Sequence, residues 1–267
     1  MPKDLCPIMR RTVYISVISH RQEELIEQNF QNFPKQLSDF DIAISILDNT
    51  GSEHLKNFCL KEDLFYHRNE TPRGFGHNHN TMFRLLNPKE HDIFIIANPD
   101  IILLPDQVEH LVQNFIATDT DIGAPRSYLD KSTGFLDYPD RYFPCLANFM
   151  ISIITGKRLH YGTNENQEYP KWLSGSFILF KPSVFQALGG FDEGYHMYCE
   201  DIDLCYRAQQ KGYRIKLDTG AYIIHDSRME SRKLFSKSIL WHMQSAWRFS
   251  RKSKRLFCLT IAPKEVS

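Results

Sequence analysis

Between residues 12 and about 120, short apolar or alternating runs take turns with longer segments whose apolar residues recur every three or four positions. That alternation admits few folds. Val13, Ile15 and Val17 predict a strand ending at Ser19-His20. Ile26, Phe30, Phe33 and Leu37 fall at i, i+4, i+7 and i+11, which predicts one helix face reaching Leu37. Ile42 to Leu47 is a second strand, ending at Asp48-Asn49; a short helix over Leu55 to Leu60 and a strand over Leu64 to His67 follow. Gly74-Phe75-Gly76-His77-Asn78 opens a helix through Met82 and Leu86, and Ile93 to Ala97 is an apolar strand ending at Asn98-Pro99-Asp100. Pro105 then starts a helix carrying Val108, Leu111, Val112 and Phe115. The expectation is an α/β fold with a mostly parallel central sheet covered by helices on both faces.

Beyond residue 125 the pattern changes. Arg126 to Pro170 is rich in turn residues and reads as an excursion covering a cleft, whereas Trp172 to Phe180 and Tyr213 to Leu217 read as strands. No repeat or low-complexity linker divides the chain. One unit over 1–227 is expected, with a basic amphipathic C-terminal helical extension over 228–267, packed on the domain, on a membrane surface, or on both.

Ligands of open α/β sheets bind beyond the carboxyl ends of the strands. Three polar clusters fall there: Ser19-His20, Asp48-Asn49 and Asn98-Pro99-Asp100. Any one of them needs no more explanation than a turn. Three in succession, followed by a glycine-rich helix start, point to a binding edge. Gly74 and Gly76 would let a backbone approach a ligand closely, and the helix N-terminus behind them favours an anion. Asp100 follows a buried strand and has the setting of a carboxylate holding a hard divalent cation against a diphosphate. His225 closes the apolar run Ala221 to Ile224 and could add an imidazole, a ligand that suits Mn better than Mg; an isolated His there also fits a structural role.

The densest chemistry lies between Trp172 and Gly212, where Glu200, Asp201 and Asp203 stand at the start of a helix predicted over Ile202 to Lys211. Acids at a helix N-terminus complement its dipole, but three within four residues exceed that need. They repel one another unless a cation, a proton or a substrate hydroxyl is shared among them.

Thirty-two basic and 32 acidic residues cancel, so global charge identifies no partner. Charge is uneven, however: nine basic residues and one acid, Glu230, lie between Arg228 and Arg255, interleaved with Trp241, Trp247 and Phe249. This composition fits a helix with a solvated basic face, or an interfacial segment with Lys and Arg on anionic headgroups. It contains no nucleic-acid-binding motif, and none of the apolar runs approaches the roughly 20 residues that span a bilayer. Six cysteines without a Cys-x-x-Cys spacing read as reduced thiols of a cytosolic protein, and the N-terminus lacks the apolar core of a signal peptide.

Ser19-His20, Asp48-Asn49, Gly74-Phe75-Gly76-x-Asn78, Asn98-Pro99-Asp100-Ile101, Gly175-Ser176-Phe177, Gly190-Phe191-Asp192 and Met197-Tyr198-x-Glu200-Asp201-x-Asp203-Leu204-Cys205-x-Arg207 together resemble the family 2 glycosyltransferases of the GT-A fold. More narrowly, with His225 and Ser231-Arg232-Lys233, they are similar to the bacterial rhamnosyltransferases that build O-antigen and related surface polysaccharides. The resemblance covers about residues 12 to 252 and is most specific over 174–213. It implies a GT-A-type Rossmann-like domain and an inverting transfer of L-rhamnose from dTDP-L-rhamnose to a lipid-linked saccharide, by a cytoplasmic enzyme peripheral at the inner face of the cell membrane. Asp201 would be the catalytic base and Asp100 the ligand of Mg or Mn. Ser19 and Asp48 would contact base and ribose; Asn78 and the 74–76 turn would line the donor pocket. His20, Asn49, Phe75, Trp172, Gly175, Ser176 and Glu200 complete the expected substrate contacts, with Arg228 and Arg232 on the leaving diphosphate. Asn98 stands where many members carry a first aspartate, which weakens one expected metal ligand.

Two other classes use this kind of sheet. A nucleotidyltransferase would show a long glycine-rich basic loop after the first strand, which Ser19-His20-Arg21-Gln22-Glu23 is not. A non-catalytic scaffold would not need Asp100 and Asp201 intact. Within the transferase class, a UDP-hexose is the alternative donor.

Overall fold

The chain begins with β1 (Arg11–Ser19), α1 (Glu23–Phe30), β2 (Gln36–Leu37), β3 (Phe40–Asp48), α2 (Glu53–Lys61), β4 (Phe65–Arg68), α3 (Phe75–Leu86), β5 (Ile93–Ala97), β6 (Ile101–Ile102) and α4 (Pro105–Ala117). There follow β7 (Ile122–Asp130), β8 (Phe135–Leu136), α5 (Leu146–Thr155), β9 (Phe177–Phe180), α6 (Pro182–Ala187), α7 (Glu200–Gln210), β10 (Ile215–His225) and α8 (Lys237–Lys252). The structure is a computed structural model and describes residues 10–130, 135–137, 140–155, 159–162, 164, 166–225 and 237–256.

Ten strands form one sheet in the order β2-β3-β1-β5-β9-β7-β10-β6, with β4 beside β3 and β8 beside β7. The pairs β3–β4, β1–β3, β1–β5 and β7–β10 are parallel, and β9 enters antiparallel to both β5 and β7. Period-two alternation divides the side chains between two cores. Val13, Ile15, Val17, Ile93 and Ile95 face a layer built from α1, α2 and α4. Phe94, Ile96, Ile178 and Phe180 face the opposite layer, where Phe185 of α6, Leu204 of α7, and Ala246 and Phe249 of α8 are buried. The expected α/β architecture is therefore present.

Three elements differ from the sequence reading; of the strand read over Trp172 to Phe180, only Phe177–Phe180 pairs, as β9. The periodic face from Ile26 to Leu37 is helical only to Phe30. Pro34 disfavours helical geometry at Phe33, and Asn32 turns into the left-handed region at φ 56°, so Phe33 is buried from a loop and Leu37 packs, partly buried, from a strand. The two runs Tyr213–Leu217 and Ala221–Ile224 are halves of one strand, β10, whose register against β7 shifts between Asp218 and Tyr222. That irregularity around Gly220 hid the continuity. Among the cysteines, Cys59, Cys199 and Cys205 are buried thiols as expected, but Cys145 is disulfide-bonded and departs from the reduced-thiol reading.

Candidate active site

Parallel pairing of β1 with β3 sets Ser19 beside Asp48, and both are fully buried at the carboxyl ends of their strands. The Asp48 carboxylate is used within the chain. Oδ1 accepts from the N–H groups of Thr50 and Gly51 at 2.9 and 2.8 Å; Oδ2 accepts from Ser52 N–H at 2.5 Å and the Tyr66 hydroxyl at 2.9 Å. Burial opposes the charge, but these donors outweigh it and hold the carboxyl below its ordinary range. Asp48 thus shapes the loop that leaves β3.

Asn49 and Asn78 do the same for the next loop. Asn49 accepts from Arg73 N–H at 2.8 Å and donates to Arg73 O at 3.0 Å, and Asn69 bridges the Asn49 and Asn78 side-chain carbonyls at 2.9 and 2.8 Å. Arg73, held by its backbone, is exposed, as is His20, whose ring lies 3.5 Å from the Asn49 amide. The two glycines of the α3 start serve packing. A Cβ on Gly74 would lie 2.4 Å from the His196 carbonyl oxygen and one on Gly76 2.7 Å from Phe191 Cβ. Phe75 N–H donates to His196 O at 3.1 Å, so the glycine-rich turn locks α3 onto the 191–196 segment.

The acids of α7 take three different roles. Asp203 is fully buried and compensated: Arg207 Nε donates to it at 2.7 Å, the Tyr195 hydroxyl at 3.3 Å, and Lys252 of α8 lies 2.8 Å away. Glu200 is buried with Oε2 lacking a partner. Asp201 alone of the three keeps partial access to solvent. Its Oδ2 accepts Gly175 N–H at 2.9 Å and its Oδ1 accepts Ile202 N–H at 2.8 Å. Burial pushes both members of the Glu200–Asp201 pair above the ordinary carboxylate range, and their mutual repulsion adds to this at Glu200. The backbone donors and the nearby Arg141 oppose the rise at Asp201, whereas the inner oxygen of Glu200 has no partner.

The segment that holds Asp201 also reaches the end of β5. Gly175 binds Asp201, and the carbonyl of the next residue, Ser176, accepts Asn98 N–H at 2.8 Å. Two positions on, Asp100 Oδ2 is 3.2 Å from His225 Nε2 at the end of β10. The antiparallel register of β6 with β10, which pairs Ile101 with His225, brings them together. Asp100 Oδ1 is buried without a partner. This unmet oxygen beside an imidazole fits a divalent cation; the described residues contain no group of three His, Cys, Asp or Glu side chains, so remaining positions would fall to phosphate oxygens and water.

Adjoining the Ser174–Ser176 segment is a cleft lined also by Arg126, Ser127, Arg141 and Trp172. Trp172 is itself buried and acts as backing: the Arg141 guanidinium sits 4.7 Å over its ring and 2.8 Å from Asp137. Arg141, Asn69, Tyr66 and Arg73 were not singled out from the sequence; only Arg73, just before the glycine turn, carried a local signal. Arg228 and Arg232 lie outside the described residues.

Among proteins of known role, the chain is 30% identical over 251 residues to the rhamnosyltransferase WbbL of Escherichia coli (strain K12), covering 91% of this chain and 94% of that protein. It is 27% identical over 172 residues to the N-acetylglucosaminyl-diphospho-decaprenol L-rhamnosyltransferase of Mycobacterium tuberculosis, covering 61% of this chain and 56% of that protein. No family model matches the chain. Its fold is shared with the mannosyltransferase PcManGT of Pyrobaculum calidifontis in complex with GDP-Man and Mn2+, at TM-score 0.55 and 16% identity, over 96% of this chain and 65% of that one. GalNAc-T7 with UDP, GalNAc and Mn2+ superposes at TM-score 0.63 and 12% identity, over 91% of this chain and 48% of that one.

Proposed function

The chain belongs to the GT-A rhamnosyltransferases of glycosyltransferase family 2, and from that premise we propose that it transfers L-rhamnose from dTDP-L-rhamnose, with inversion, to a lipid-linked saccharide. The observation that carries the reading is the chain of contacts Asp201–Gly175–Ser176–Asn98–Asp100–His225, which ties an accessible carboxylate to a carboxylate–imidazole pair.

Asp201 is the base. It is partly accessible, its oxygens are oriented by two backbone N–H groups, and burial pushes its neighbour Glu200 up to about 8. An acceptor hydroxyl that loses its proton to Asp201 while bonding to the anomeric carbon gains the roughly 10²–10⁴-fold that general-base catalysis supplies. Asp100 and His225, with Asn98 adjacent, would hold Mg or Mn, which when bound neutralises charge developing on the leaving diphosphate. The Asn49–Asn69–Asn78 network fixes the loop that faces the nucleotide, and Asp48 fixes the one before it. Asp203 holds α7 to α8.

No helix among the described residues is long and apolar enough to cross a membrane. Leu240, Met243 and Trp247 are nonetheless exposed at i, i+3 and i+7 on α8, with Arg251 and Lys254 also exposed near its end. This face supports peripheral contact with an anionic membrane, where a lipid-linked acceptor is met. Arg248 and Lys252 are not available for it, because both pair with Asp192, at 2.8 and 3.0 Å.

The test is a screen of nucleotide-sugars for release of free nucleotide, with and without vesicles carrying a polyprenyl-diphosphate saccharide and anionic lipid. Acceptor-dependent release from dTDP-L-rhamnose is expected. Release from a UDP-hexose alone would overturn the donor assignment.

A further inference from the structure

The residues just before Glu200-Asp201 are held in a conformation that side chains rarely adopt. Tyr198 and Cys199 are consecutive non-glycine residues in the left-handed region, at φ 73° and 63°, and Cys199 caps α7 without a side-chain hydrogen bond. Such a pair persists only where its surroundings over-determine it, and strain of this kind gathers at sites whose geometry matters. Its grip comes from two sides. On one, the α3 start meets the His196 carbonyl through Phe75 N–H, at the close approach that Gly74 permits. On the other is α8: Ser245 Oγ donates to Met197 O at 2.8 Å, the His242 ring stacks on Tyr198 at 4.8 Å and 24°, and Trp241 packs on His196 at 4.5 Å. The helix is itself anchored by Arg248 and Lys252 on Asp192 and by Lys252 on Asp203.

We propose that α8 holds the 197–199 turn in its strained form and thereby sets the reactive position of Asp201, so that Ser245 and His242 are positioning residues for sugar transfer. Both act on the turn and not on Asp201 itself: Ser245 holds Met197 and His242 holds Tyr198, three and two residues before the α7 start. Asp201 receives its direction from Gly175 N–H on one side and from the entry angle of α7 on the other, and the second of these is what the turn fixes. A displacement of that carboxylate by an ångström would reduce the rate while leaving the donor-binding loops on the opposite wall unaltered.

The proposal rests on Asp201 as the base, and the experiment separates the two. The full-length His242→Ala/Ser245→Ala enzyme is compared with wild type for kcat, donor KM and melting midpoint, and the same pair is placed in an Asp201→Asn background. Expected are a fall in kcat of about tenfold or more with donor KM nearly unchanged, no further fall in the Asp201→Asn background, and recovery of most of the rate by His242→Phe, which keeps the stack. Wild-type kcat in the double variant overturns the positioning role, as does an equal fold loss in both backgrounds, which marks α8 as support for the fold alone. Full activity of Asp201→Asn by itself removes the base reading, and this inference with it. Should the double variant fail to fold, Ser245→Ala alone carries the test, with an expected loss of roughly two- to tenfold in kcat for one hydrogen bond.

Discussion

The strand ends and helix starts of the candidate site fall into two groups, or walls, that differ in how completely their polar groups are satisfied. On the wall formed by β1, β3 and the α3 start, Asp48, Asn49 and Asn78 spend their side chains on the chain's own loops, down to both oxygens of Asp48. On the opposite wall, Glu200 and Asp100 each keep a buried oxygen without a partner, and Asp201 carries only backbone donors. A satisfied wall recognises by shape and by the backbone it displays. An unsatisfied one has capacity left for a proton, a cation or a hydroxyl, and that capacity is what chemistry uses.

The contrast breaks first at Asp201. Asp201→Asn keeps the shape and cannot accept a proton, so kcat should fall at least about 10²-fold while donor affinity by calorimetry stays near wild type. Retained turnover would move the base elsewhere. Asp100→Ala should weaken donor binding as well as rate, beyond the roughly 10–100-fold seen for groups that merely orient a metal ligand. Full activity in chelator-treated enzyme would separate Asp100 from any cation. On the satisfied wall, Asp48→Asn should act on folding: it replaces one of the two accepting oxygens by an NH2 that faces N–H or O–H donors, and should cost about 1–3 kcal/mol by denaturant titration, with kcat at saturating donor largely kept. A kcat loss as large as that of Asp201→Asn would erase the distinction between the walls.

The smallest effect is a slope. Burial and the Asp201 charge push Glu200 up to about 8, so its folded state binds a proton that the unfolded chain releases near pH 4. The stability this contributes is fully present below the ordinary carboxylate range and is lost as pH rises toward about 8. Glu200→Gln should flatten the decline of the melting midpoint between pH 5 and 8. Asp192 runs the other way. Burial opposes its charge, but Arg248, the Gly194 N–H and Lys252 prevail and hold it well below its usual range, so its contribution is present at neutral pH and fades only in strong acid. A wild-type midpoint that does not fall between pH 5 and 8 would remove the proton from Glu200.

Much of this was readable from the sequence where one interaction dominates. Val13, Ile15 and Val17 on β1 and the apolar β5 announce themselves because burial alone decides them, and the polar strand ends follow from the parallel topology. Reading failed where two local signals competed. Periodicity carried α1 past Phe30 until Pro34 overruled it, and an irregularity split β10 into two runs. The glycines of the α3 start have a ligand-binding look, yet their space is filled by Phe191 and His196, more than 100 positions away. Asp203 looks no different from Asp201 on paper. Only the fold delivers Arg207 and Lys252 to one and leaves the other partly accessible to solvent. Arg141 sits in a stretch with no periodicity, and nothing short of tertiary structure puts it over Trp172.

One feature of the sheet bears on motion. The strand β9, which leads directly from Gly175 and Ser176, is inserted between β5 and β7, so the segment that binds Asp201 and the wall formed by β1 and β3 are joined through a continuous ladder from Phe94–Phe180 to Ala97–Phe177. Hinge rotation of one wall against the other would have to tear that ladder, breaking several buried hydrogen bonds at once. The spacing between Asp201 and Asp100 is therefore preorganised during folding and is not renewed at each turnover. Whatever rearranges when substrates enter and leave must do so in the connections above the strand ends, which makes admission to the site a separate problem from its alignment.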